Sequence, residues 1–135
     1  MKKLILILIS ILFVNSFSQI YEDKDVKICK SKFELAATKN MSIEPIGDVI
    51  VDIGKSFIGT KYQPSTLEKD GDEQLVINLT GFDCTTFLEN CLAFARCIKQ
   101  NKTTFDDYQK ELTQLFSLQV TPEQFAKDMQ KMNAK

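Results

Sequence analysis

The sequence predicts an α+β domain in which helix dominates, and three observations predict it. Apolar residues recur at three-and-four spacing in several separate stretches, the mark of amphipathic helices. The stretch Leu75-Val76-Ile77-Asn78-Leu79 is short, apolar and β-branched enough for a strand. Breaks rich in Asn, Pro, Gly and Asp separate these segments. Four or five helices and two strands are expected, with no room for a whole sheet.

The elements follow in order. From Val26, the residues Cys29, Phe33 and Ala36 or Ala37 recur at helical spacing, with Lys and Glu in the gaps. Asn40 to Pro45 breaks that pattern, and Pro45 suits a helix start. Ile46, Val49, Ile50, Ile53 and Phe57 then repeat the rhythm to a stop near Gly59. A glycine there can take the left-handed conformation that releases the chain into Thr60-Lys61-Tyr62-Gln63-Pro64. Lys69-Asp70-Gly71-Asp72 reads as a tight turn before the strand Leu75–Leu79. Asp83 then caps a helix whose inward face is predicted to hold Cys84, Phe87, Leu88, Cys91, Leu92, Phe94, Ala95 and Ile98. Phe105 to Phe116 is a further helix, with Phe105, Tyr108, Leu112, Leu115 and Phe116 on one side. Thr121 and Gln124 form a capping-box pattern for a last helix through Met132.

The first eighteen residues are organised differently. Lys2 and Lys3 precede an apolar run from Leu4 to Val14, with Ser16 and Ser18 at the −3 and −1 positions of a cut before Gln19. This reads as a secretory signal peptide, because about 20 apolar residues are needed to span a bilayer. Residues 19–135 are then expected to form one modest domain, exported to the periplasm or the extracellular space. Loss of Lys2 and Lys3 with the leader takes the formal net charge from −1 to −3. That balance excludes the basic footprint of a nucleic-acid binder, and no stable membrane anchor is expected after cleavage.

Four cysteines in an exported chain suggest disulfides. If Cys84, Cys91 and Cys97 share one helix, a rise of about 1.5 Å per residue puts the closest pair about 9 Å apart, beyond disulfide reach. Cys29 alone could pair with one of them, so at least two thiols stay free. No Cys-x-x-Cys pair, glycine-rich phosphate loop or histidine is present, and no metal or cofactor is expected.

Cys84 stands apart from the other three. The β-rich run ends at Phe82-Asp83-Cys84-Thr85-Thr86-Phe87, which places a thiol in the first turn of a capped helix. Unpaired N–H groups and the positive end of the helix dipole favour a thiolate at such a position. A cysteine on an apolar helical face is nonetheless most often a small core residue. By the same standard Tyr62 is a loop aromatic and Asp83 a cap.

Four pieces in sequence alter that balance: Gly54-Lys55-Ser56-Phe57-Ile58-Gly59-Thr60-Lys61-Tyr62, Ser65-Thr66-Leu67-Glu68, Glu73-Gln74-Leu75-Val76-Ile77-Asn78-Leu79, and Phe82 to Glu89. In this order they resemble the exported bacterial family of N-acetylmuramoyl-L-alanine amidase-like proteins, related to NlpC-type cell-wall peptidases, from about residue 46 to residue 96. The resemblance implies the N-terminal, helix-rich portion of a papain-like fold with an incomplete antiparallel sheet. It makes Cys84 the nucleophile that attacks an amide carbonyl of peptidoglycan or a muropeptide to form a thioester. The Cys84 N–H and a neighbouring donor would form the oxyanion hole. Asp83 would cap the helix, Tyr62 would sit near the sulfur or the substrate, and Thr85 would support the site.

The resemblance also exposes what is missing. Relatives carry a later segment with much of the sheet, the catalytic histidine and a polar residue to orient it, and nothing from Phe116 to Lys135 looks like it. The chain is therefore expected to be truncated and inactive by itself, since a thiol nucleophile normally leans on an imidazole base. The alternatives are a non-catalytic module that binds peptidoglycan or a protein, and a nonfunctional gene fragment.

Overall fold

A computed structural model describes residues 19–64 and 75–117. The expected leader at residues 1–18, the tight turn at 69–72, the Ser65–Glu68 piece and the last helix at 121–132 lie outside the described residues.

Helix α1 spans Asp23–Thr38, a 3-10 turn spans Met41–Ile43, and helix α2 spans Ile46–Lys55. Helices α3, Cys84–Lys99, and α4, Phe105–Ser117, follow the strand region. Cys29, Phe33 and Ala36 of α1 are buried, the three-and-four spacing read in the sequence. Asn40 begins the 3-10 turn with φ 54°, a left-handed conformation that asparagine tolerates. Helix α2 stops at Lys55, earlier than expected, and a turn carries the chain to Gly59, whose φ of 91° does require glycine.

Four two-residue strands are present among the described residues: β1 Gln19–Ile20, β2 Lys61–Tyr62, β3 Leu75–Val76 and β4 Gly81–Phe82. They form two separate ladders, β1 with β3 and β2 with β4, both parallel. The α+β class stands, but the expected antiparallel pairing does not. Each ladder joins segments far apart in sequence, so neither is a hairpin, and such crossover connections leave the strands parallel. The predicted strand Leu75–Leu79 is likewise divided. Val76 ends the regular ladder, and the Leu79 N–H is taken instead by Oδ1 of Asp25 at 2.7 Å.

Asp25 is buried, and both its carboxylate oxygens are engaged. Oδ2 accepts from the Glu22 N–H at 2.9 Å, closing the start of α1, while Oδ1 holds the strand segment. A buried carboxylate is tolerated because it is fully hydrogen-bonded.

The core lies where α1, α2 and α4 surround α3. Phe94 is fully buried at its centre, edge-on to Phe33 with centroids 5.3 Å apart and stacked on Tyr108 at 4.4 Å. Phe57 extends this aromatic chain to Phe82, with centroids at 5.0 Å. The Lys32 ammonium lies 4.1 Å over the Phe57 ring and donates to the Ser56 carbonyl at 2.7 Å, tying α1 to the turn after α2. Lys99 does the same at the other end, donating to the Ser42 and Glu44 carbonyls at 2.6 Å each.

Candidate active site

The site is built on the β4–α3 junction. Asp83 is the N-cap residue in extended conformation, and Cys84 is the first residue of α3. Oδ1 of Asp83 accepts from the Thr86 N–H and from its hydroxyl, both at 2.8 Å, and the Asp83 N–H donates back to Thr86 Oγ1 at 3.0 Å. This reciprocal cap satisfies donors that a helix start otherwise leaves open. Hydrogen bonds from the Thr86 backbone and side chain, with a further one from the Thr85 backbone, hold the Asp83 carboxyl below its ordinary range. The cap read from the sequence is present, and Thr86 is its partner.

Cys84 is exposed, whereas Cys29, Cys91 and Cys97 are buried, and all four thiols are free. The Cys84 thiol does not lie on the inward face predicted for it. Phe87 and Leu88, assigned to the same face, are 38% and 61% exposed. In this first stretch of α3 it is Thr86 and Asn90 that are buried, while Cys84 and Phe87 line a groove, with the Phe87 ring against Gly54 of α2 and Phe82 of β4.

That groove has a volume of about 360 Å³ and is predominantly apolar. Phe57 and Phe82 form its deep wall, Phe87 lies beside Cys84, and Ile58 and Tyr62 stand on the rim. Tyr62 is 72% exposed and lines the same groove as Cys84 and Asp83, so the structure brings together three of the four residues singled out in the sequence. Thr85 is exposed in the first turn but is not among the groove-lining residues. Lys61, its charge at the edge of the groove, was not singled out, although its place directly before Tyr62 was the available signal.

The β2–β4 ladder fixes the groove's shape. Tyr62 is in register with Phe82, one residue from the cap, and Gln63 N–H donates to the Phe82 carbonyl at 2.9 Å. Gly81 leaves room for the Gln63 side chain at the adjacent register position: a Cβ there would lie 2.5 Å from Gln63 Oε1 and 3.0 Å from Gln63 Cβ, so the Gln63 side chain would have to shift. No group of His, Cys, Asp and Glu among the described residues could hold a metal.

The fold and site define an α+β domain that presents one accessible thiol at a capped helix N-terminus, at the edge of an apolar groove. The model of a family described as AmiA-like, N-acetylmuramoyl-L-alanine amidase-like, matches residues 52–119, half of the chain, and the chain belongs to that family. The match runs past residue 96, where the motif resemblance ends, and takes in all of α4. No curated protein and no solved structure matches the chain.

Proposed function

We propose that this chain is an exported protein of the peptidoglycan amidase type whose groove receives the amide-bearing part of a muropeptide, with Cys84 as the attacking group. The observation that carries this reading is the exposure of Cys84 in a groove walled by Phe57, Phe82 and Tyr62. In the reaction, the Cys84 sulfur adds to the amide carbonyl, and first-turn N–H groups stabilise the oxyanion. Collapse expels the amine and leaves a thioester for water to hydrolyse. The amine must collect a proton as it leaves, and an imidazole is the usual donor. These 135 residues contain no histidine, and Oδ1 of Asp83 is occupied by Thr86. The chain by itself therefore holds its substrate without turning it over.

Two assays test this. The purified chain is expected to be retained on insoluble peptidoglycan, with retention reduced several-fold by Tyr62→Ala; recovery of the chain in the wash would remove the reading. Incubation with soluble muropeptides should release no peptide until free imidazole is added, and then only when Cys84 is present. Cleavage without imidazole that disappears in Cys84→Ala would overturn the claim of inactivity. Retention with no imidazole rescue would favour the second reading, a binding module, which the absence of any histidine supports.

A further inference from the structure

A buried polar chain runs from α4 to the cap beside Cys84. Tyr108 of α4 is fully buried, and its hydroxyl donates to Oδ1 of Asn90 on α3. Asn90 is itself buried, and its Nδ2 donates to the Thr86 carbonyl at 2.6 Å. Thr86 then engages Asp83 through its N–H and hydroxyl. Each link uses a polar group that would be costly to leave unpaired in the core. Burial pushes the Tyr108 phenol well above its ordinary range, so it stays a neutral donor.

We propose that Tyr108 and Asn90 are positioning residues for Cys84, fixing from beneath the first turn on which the thiol stands. The inference rests on Cys84 being the reactive group, as proposed above, and it adds two residues that touch neither the groove nor the thiol. Asn90 is placed to do this because one amide meets both a donor and an acceptor. Its oxygen accepts the hydrogen bond from the Tyr108 hydroxyl of α4, which leaves its nitrogen directed at the Thr86 carbonyl. Thr86 in turn sets where the Asp83 carboxylate lies and keeps the neighbouring N–H groups oriented as a helix start. Loss of the Tyr108 hydroxyl frees Asn90 to turn, and the first turn loosens. The thiol it carries is then held less firmly toward its reagent.

The readout is the rate at which iodoacetamide alkylates the full chain, followed from pH 6 to 10 by mass, with Cys84→Ser as the blank. Turnover is not needed, so the result is independent of whether the chain binds or cuts peptidoglycan. Among the described residues, the other titratable groups at the groove are Asp83 at the cap and Lys61 and Tyr62 from β2, and the variants leave all three in place. Tyr108→Phe and Thr86→Val are expected to lower the alkylation rate at neutral pH about threefold. Thr86→Ser, which keeps the hydroxyl, should restore the native curve. Leu112→Ala, a core truncation elsewhere on α4, should lower the Tm and leave the curve in place. The proposal is overturned if Tyr108→Phe and Thr86→Val give the native curve, or if Leu112→Ala shifts it equally. Should Tyr108→Phe fail to fold, the Thr86→Ser and Thr86→Val pair decides.

Discussion

The two ends of α3 carry the same residue type in opposite circumstances. In the first turn Cys84 meets solvent, its neighbours Phe87 and Leu88 are exposed, and the backbone is tied down by a polar cap. From Cys91 onward the helix disappears into the core, and Cys91 and Cys97 are almost wholly buried. Burial pushes the Cys91 thiol up to about 11 and those of Cys97 and its neighbour Cys29 to about 12. A cysteine is therefore a filler or a candidate nucleophile according to which elements cover its part of the helix.

The sharpest test of this contrast is all-or-none. Near pH 8 the native chain should take up one alkyl group, at Cys84, and four after denaturation, as counted by mass. Labelling of Cys91 in the folded protein would break the distinction.

The next effect is on stability. Phe94→Ala removes the ring shared by Phe33, Phe57 and Tyr108 and should cost about 3–5 kcal/mol in denaturant unfolding. Cys84→Ala, at the other end of the same helix, should change stability by no more than about 0.5 kcal/mol. A comparable loss at both positions would mean that the first turn is core after all.

The pH dependence is smaller and follows from the three buried thiols. Their folded values lie above the ordinary value of 9.0, so the unfolded chain loses those protons first. Their contribution to stability is complete below pH 9 and is lost as pH rises through about 11 to 12. Unfolding free energies measured from pH 8 upward should decline in the wild type, and less steeply in Cys29→Ala once its lower starting stability is taken into account.

Much of this molecule is legible in the sequence because helices announce themselves locally. Cys29, Phe33 and Ala36 recur at the period of a buried helical face, and they are buried. The glycine at position 59 marks a left-handed stop and has positive φ, although α2 itself ends at Lys55. Asp83 was read as a cap and is one. The strands were less legible. A two-residue ladder has no period to detect, and whether Leu75–Val76 pairs with Gln19–Ile20 or with Gly81–Phe82 depends on segments remote in the chain. In the sequence Tyr108 is one more residue on the apolar stripe of its helix, and nothing local sets Asn90 apart. Only their meeting in the core turns them into a hydrogen-bonded pair.

The sequence by itself determined the helices, the capped turn that bears Cys84, and the absence of any imidazole, because each depends on residue type and near-neighbour spacing alone. Tertiary structure decided which of four cysteines meets solvent, that Tyr62 shares its groove, and that α4 reaches the Asp83 cap through Tyr108, Asn90 and Thr86. Periodicity records that a helix has an apolar face but not how far along the helix its partners extend. At the start of α3 the buried positions are Thr86 and Asn90, and Cys84 is left to the groove.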